Sequence, residues 1–495
     1  MNKYMLCSLF SAAVIFLTNC SEDKGNYDYD AIDDVTITLP ASYYNVVSGG
    51  RLKITPVLTH LLEEKKGELS YLWEVDGTAI STDLNLDVLL PAMSYGSKVC
   101  ALTVTDNTTG MKFIKTFSLE VVGEISVGYY FLTEDDSQNT ILSYLPIATE
   151  ENPDPEIIQT KACGGALFSA SPISITGIFG ASNIAGSGIW SIIILSKGEG
   201  NRCVVTEGKT FLPTTIVSET NFVDQNMGYT FNPESCINSM QGELYFISNG
   251  QFILYKRGLL YRPAKHEADY YWSYPMASCM GYSFFYVYDT LSHRYYAIKP
   301  LVTNPELGIV GDSNAYDDVV EIGDSPDLSG HTIIGAFSLL RKANLLCTAT
   351  TEGLHLHTFS NVGTTSFQYE GETMLPVSGA GADTKAVVVK NLDWYFFVGN
   401  RIYTSPIDMP KLADYATIPD EYGRVTSVSV SGKQSRLVVT TYNEKSNSEL
   451  KGSILFINIE TKEIKAYKNV IHKCVSSLSA NDATSDWYDI GGDGL

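Results

Sequence analysis

The chain has 495 residues, with 56 acidic against 34 basic side chains and a formal net charge of −22. That length exceeds one compact core, so two or more domains are expected, and the acidic balance excludes nucleic acid and an anionic membrane surface as partners. Tyr (31) and Gly (40) are abundant while long Ala/Leu/Glu/Lys stretches are absent, which predicts strands and turns rather than helices.

The first twenty residues, MNKYMLCSLFSAAVIFLTNC, give way abruptly to the polar SEDKGNYDYD. Lys3 supplies a short positive start. Leu6 to Leu17 is an apolar run too short to span a bilayer, as expected of a cleaved export signal. Leu17-Thr18-Asn19-Cys20 resembles the lipobox at which bacterial lipoproteins are cut and acylated, with Asn19 departing from the usual small residue. Residues 1–20 therefore read as a signal peptide with Cys20 as the lipidation site. Each buried CH₂ of the acyl chains would contribute roughly 0.8 kcal/mol of membrane affinity. The plainer alternative is an ordinary secretory signal with an incidental Cys. Residues 21–32 form an acidic tether, in which Glu22-Asp23 resembles the surface-export signal of Bacteroidetes lipoproteins.

Residues 33–123 predict one β-sandwich. VTITL (35–39), LKITPVL (52–58), LSYLWEV (69–75), KVCALTVT (98–105) and KFIKTFSLEVV (112–122) are short β-rich runs between turn signals. Tyr71, Trp73 and Val75 share one strand face, and Leu72 and Glu74 the other. A mid-sandwich Trp is the immunoglobulin-like pattern, and Trp73 reads as core.

Residues 124–480 repeat a different unit. Hairpins are expected at 127–147, 190–208, 243–256, 284–298, 345–359 and 394–407, with at least three strands in 436–469. In 243–256, Asn249-Gly250 predicts a two-residue type I′ turn. Seven hairpins at intervals of roughly 40 to 60 residues match the period of propeller blades. The fold class is thus all-β: a sandwich followed by a β-propeller of about seven blades. Two or three further sandwiches in tandem are the competing architecture. Residues 481–495 read as a flexible tail.

Cys7 leaves with the signal. The other seven cysteines after Cys20, namely Cys100, Cys163, Cys203, Cys236, Cys279, Cys347 and Cys474, form no C-x-x-C pair. Small buried hydrophobes are expected, not a zinc site. Y-L-W-E-V-D-G (71–77), A-L-T-V-T-D (101–106) and F-S-L-E-V-V (117–122) resemble a polycystic-kidney-disease (PKD) type domain. With Cys20 through Tyr29, these residues resemble the PKD-like lipoproteins of Bacteroidetes that accompany SusC/SusD-type nutrient uptake systems. The resemblance implies a lipid-anchored outer-membrane protein facing the cell exterior beside a SusC/SusD-type importer. It implies no catalytic residues and no cofactor.

The strongest candidate binding patch is aromatic. Asp269-Tyr270-Tyr271-Trp272-Ser273-Tyr274-Pro275 puts four rings into five positions just before a strand pair. Flat rings flanked by hydrogen-bonding groups suit sugar rings or extended peptides, so Tyr270, Tyr271, Trp272 and Tyr274 are the candidate ligand contacts. Their plainer role is filling space between blades. His355-Leu356-His357 places two imidazoles on one strand side without an identifiable third ligand, so no metal is expected. Asp135-Asp136 and Asp317-Asp318 read as solvated turns rather than a glycosidase pair. The tail Asp486 to Gly494 lacks the spacing of a calcium loop. Asp289-Thr290-Leu291 resembles a short O-glycosylation sequon of Bacteroidetes. G-x-S-x-G, H-E-x-x-H and P-loop motifs are absent.

The sequence therefore favours a non-catalytic accessory lipoprotein that binds an oligosaccharide or peptide for a neighbouring importer. A propeller-fold glycan hydrolase or lyase is the alternative, and needs carboxylates at the starts of the innermost strands. An adhesive or structural surface protein is the third reading.

Overall fold

The structure, a computed structural model, describes residues 34–62, 67–91, 93–94, 96–122, 128–147, 155–160, 168, 170–178, 191–207, 211, 213–223, 228, 230–238, 244–256, 258–261, 270–277, 285–300, 316–339, 343–362, 366–389, 393–431 and 435–480. The signal peptide, Cys20, the whole tether and the tail fall outside these residues. No α-helix occurs among the described residues. The chain divides into two compact units, Met1–Val121 and Val122–Leu495.

The first unit packs a five-stranded sheet against two strand pairs. The sheet runs Tyr43–Val47, Lys112–Val122, Gly96–Asp106, Leu69–Val75, Thr78–Ser81. Val35–Thr38 pairs with Val57–His60, and Arg51–Ile54 with Leu86–Leu89. Ile37, Leu52, Trp73, Cys100, Leu102 and Phe117 meet in the core. Trp73 is fully buried, lies edge-on to Phe117 at 5.9 Å, and its indole N–H donates to the Asp83 carbonyl at 2.8 Å. Both apolar bulk and polar edge are thus satisfied. The run LKITPVL is not one strand. It splits at Thr55-Pro56, because proline has no N–H to give a ladder, and its halves join different partners. Asp76 and Gly77 both have positive φ (48° and 76°), as a two-residue hairpin turn between Val75 and Thr78 requires.

The second unit holds seven four-stranded antiparallel sheets among the described residues. Each predicted hairpin supplies the two middle strands of one sheet. In the fourth sheet, Phe285–Asp289 and Arg294–Pro300 lie between Trp272–Ala277 and Tyr316–Glu321. Middle strands are covered on both faces; all six residues of Ser191–Ser196 are buried. The first sheet is closed by the far end of the chain, in the order Ile158–Thr160, Thr140–Pro146, Gly128–Glu134, Lys473–Ala480.

One edge strand of each sheet adjoins its counterparts. Lys473–Ala480, Pro172–Ile178, Pro233–Asn238, Trp272–Ala277, Thr332–Leu339, Lys385–Val389 and Arg424–Val430 neighbour one another in that order, and the last returns to the first. These are the innermost strands of a propeller-like arrangement, in which sheet faces bury against the next sheet. Ile193 of the second sheet packs with Phe246 of the third, and Phe397 of the sixth with Val439 of the seventh. Consecutive strands stay within one sheet, which tandem sandwiches with their Greek-key crossings would not give.

Six of the seven innermost strands carry a β-bulge near their start. The pairing with the second strand skips Ile173, Glu234, Tyr274, Ile334, Thr426 and Val475. Among the described residues, Cys100, Cys203, Cys236, Cys347 and Cys474 are free and buried. Cys163 and Cys279 lie outside them. Asp318 pairs across a ladder with Lys299, so Asp317-Asp318 belongs to the strand Tyr316–Glu321 and not to a turn.

Candidate functional site

Strand direction fixes what shares one end of these sheets. In four antiparallel strands, the connection entering the innermost strand and the turn between the second and third strands lie at the same end. The predicted aromatic patch sits there, between the third and fourth sheets. Tyr271 is 45% exposed and Tyr274 46%, whereas Trp272 is 6% exposed. Trp272 stacks on Tyr270 at 4.5 Å and meets Tyr296 edge-on at 5.8 Å, inside the core shared by the two sheets. Of the four predicted contacts, the structure thus presents two rings to solvent and uses Trp272, with the half-buried Tyr270, as packing.

The Tyr271 ring and the backbone that carries both exposed rings are held in place. The Tyr271 ring lies over Gly250 of the Asn249-Gly250 turn, where a Cβ would collide with it. Both turn residues have positive φ (51° and 71°), as the predicted type I′ turn demands. The Tyr271 N–H donates to Asp289 Oδ1 at 2.8 Å, and its carbonyl accepts from the Thr290 N–H at 2.9 Å. The Trp272 N–H donates to the Gly250 carbonyl at 2.8 Å and joins the two sheets. Tyr274 is the bulged residue, at φ 44°, and its carbonyl accepts from Tyr295 Oη at 3.2 Å. A bulge re-aims a side chain, and a non-glycine residue there stores strain. Asp289-Thr290-Leu291 is the adjoining turn, its carboxylate taken up by Tyr271, Leu291 and Ser292 donors.

A second cluster lies at the same end of the fifth sheet. His331 precedes the strand Thr332–Leu339, Thr348 and Thr350 end Ala343–Thr350, His355 and His357 stand on Gly353–Val362, and Tyr369 and Glu372 on Ser366–Pro376. His355 Nδ1 meets Glu372 Oε1 at 2.5 Å and His355 Nε2 meets Thr350 Oγ1 at 2.7 Å. Thr348 Oγ1 bridges His331 Nδ1 at 2.8 Å and His357 Nε2 at 3.1 Å. His357 Nδ1 meets Tyr369 Oη at 3.0 Å. The His331 ring is 4.8 Å from that of His355 and 5.9 Å from that of His357.

Burial holds the His357 imidazole down to about 4, with Glu372 working against it. Burial and the neighbouring His355 lower His331. Burial works to raise Glu372, but the His355 hydrogen bond and the three imidazoles outweigh it and hold the carboxyl low. Burial and Glu372 push the Tyr369 phenol up. His355 and His357 share one strand and are visible in the sequence pattern; His331 and Glu372 lie on other elements and carry no motif. Thr350, His355 and Glu372 stand in hydroxyl–imidazole–carboxylate order, which can pass a proton but here ties strand ends together. Among the described residues, no three His, Cys, Asp or Glu side chains are placed to hold a metal ion.

Asp135 caps its own turn, accepting from the Ser137 and Asn139 N–H groups at 2.9 and 2.8 Å, as a solvated turn predicts. The innermost strands open on Lys473, Pro172, Pro233, Trp272, Thr332, Lys385 and Arg424. None of these is a carboxylate, so the acids that the glycan hydrolase reading places there are missing from those positions. The nearest is Glu234, in second position.

Residues 20–168 match the family model described as the PKD-like family. The matched stretch spans the sandwich and continues through Ile158–Thr160, three strands into the first sheet. No curated protein matches the chain. Among solved structures, a quinonprotein alcohol dehydrogenase-like protein from Bacteroides thetaiotaomicron is similar at 13% identity and a TM-score of 0.44, covering 89% of this chain and 97% of that one. The periplasmic gluconolactonase of Pseudomonas aeruginosa is similar at 12% identity and 0.43, covering 71% and 98%. PorZ, a surface component of the type-IX secretion system of Porphyromonas gingivalis, follows at 12% and 0.39, covering 70% and 38%.

Proposed function

We propose that this is a lipid-anchored outer-membrane protein on the cell exterior, whose seven sheets are the blades of one closed propeller that captures a ligand for a SusC/SusD-type importer. The observation that carries the capture role is the pair Tyr271 and Tyr274. Two tyrosine rings stand nearly half exposed on a backbone pinned by hydrogen bonds from two sheets. Rings on a preorganised backbone lose less freedom on binding than rings on a loose loop, which favours recognition of flat sugar or peptide faces. The anchor reading is supported by the family match, which begins at Cys20, the residue that cleavage would make N-terminal. A tether raises the local concentration of a weakly held ligand near the transporter.

The test of capture is a glycan and peptide library screen on the full chain in detergent, wild type against Tyr271→Ala. Binding without product formation, weakened in the variant, is expected; no binding to any library member would reject the proposal. For the anchor, palmitate label is expected on wild type and absent from Cys20→Ala. Equal labelling of the two would reject lipidation.

A further inference from the structure

The six bulges have a common consequence. A bulge leaves one residue without a ladder partner and turns its side chain away from the regular alternation. Here the bulged residue falls second or third in six innermost strands, at the end that also holds the Tyr271 turn and the histidine cluster. None of the six is buried: Glu234 and Tyr274 are exposed, and Ile173, Ile334, Thr426 and Val475 are half-buried. Ile173 and Ile334 still touch the cores beside them. By contrast Pro172, Ser174, Pro233, Pro275, Val425, Ser427 and Cys474, immediately beside bulges, are buried. The innermost strands neighbour one another in a closed series, so the six bulges set six incompletely buried side chains at the same end of six of the seven strands, around one mouth. The sixth strand, Lys385–Val389, has no bulge.

The chemistry around that mouth is uneven. Ile173, Ile334, Val475 and the methyl of Thr426 are apolar. The polar recognition groups fall on adjoining strands, Glu234 second in Pro233–Asn238 and Tyr274 third in Trp272–Ala277. Tyr271 flanks them, three residues before Tyr274. We infer that Glu234 and Tyr274, set out by adjacent bulges, form a subsite for a neutral carbohydrate at the mouth of the ring. The inference rests on the capture reading and narrows it. A tyrosine face stacks on the C–H face of a sugar ring, and a carboxylate accepts paired hydroxyls through charge-assisted bonds. An anionic sugar would meet the Glu234 charge and is disfavoured. The strain at Tyr274 has a purpose under this arrangement: a left-handed tyrosine is retained where its ring is needed.

The experiment is calorimetric titration of the full chain in detergent with maltohexaose and cellohexaose, with trigalacturonate and hexa-alanine as comparators. Tyr274→Asn is the informative variant, since asparagine accepts the left-handed backbone and keeps the bulge. Tyr274→Asn and Glu234→Gln are each expected to weaken binding of a neutral hexaose at least roughly tenfold, with melting temperature unchanged. Neutral-sugar binding that both variants leave intact, while Tyr271→Ala abolishes it, overturns the mouth site and leaves capture standing. Binding of trigalacturonate or hexa-alanine in preference to both hexaoses overturns the carbohydrate assignment.

Discussion

At the scale of single residues, His357 sets an acid limit on the fold. Its ring is walled by His331, His355, Thr348, Tyr369 and Glu372, and it is neutral in the folded protein. Unfolded, it titrates near 6.5; folded, near 4. The unfolded chain therefore binds the extra proton across that window. Its contribution to stability is complete above about pH 6.5 and falls as pH drops towards 4, by at most about 3 kcal/mol. Melting temperature should fall between pH 7 and 5 in wild type and fall less in His357→Gln; parallel curves would show that His357 is not responsible. The sequence displayed this site only in part. His355-x-His357 is visible because strand alternation puts both on one side. His331 and Glu372 reach them only through sheet pairing, such as His357 opposite Glu372.

At the scale of elements, legibility follows burial. The middle strands of each sheet are covered on both faces, so they read as dense apolar runs, and their hairpins were countable. Innermost strands such as Arg424–Val430 (RVTSVSV) and Lys473–Ala480 (KCVSSLSA) are rich in serine, and the Ser477 hydroxyl bonds those of Ser427 and Ser429, each at 3.0 Å, across the seam. Polar strands of this kind give no hydrophobic signal, and bulges break their alternation as well. Two elements give direct tests. Removing residues 473–495 strips Gly128–Glu134 of one of its two ladder partners, leaving Thr140–Pro146 on the other side. Amide exchange should then accelerate over 128–134 and spread through the second unit, while Leu69–Val75 keeps its protection. In the Asn249-Gly250 turn, Gly250→Ala adds a methyl at φ 71° where the Tyr271 ring already lies. Destabilisation of roughly 1–3 kcal/mol is expected, together with loss of ligand binding comparable to Tyr271→Ala. A stable Gly250→Ala protein with intact binding would deny the turn its positioning role.

At the scale of the whole molecule, two cores formed from separate stretches of sequence imply two unfolding events. The sandwich core is drawn from Val35 to Val121, and the sheet cores of the second unit from residues beyond it. The family match crosses that boundary, since it includes the first three strands of a sheet whose fourth strand is Lys473–Ala480. The matched segment therefore cannot complete its last sheet alone, and cooperativity should follow the compact units rather than the matched range. Scanning calorimetry of the full chain should resolve two transitions. Trp73→Ala empties a fully buried site beside Phe117 and leaves the Asp83 carbonyl without its donor. A loss of about 3–5 kcal/mol is expected, enough to lower the sandwich transition by more than about 10 °C. The second transition should stay in place, because Trp73 belongs to a core drawn from the first unit's residues. A single transition, or two that move together under Trp73→Ala, would mean that the units melt as one.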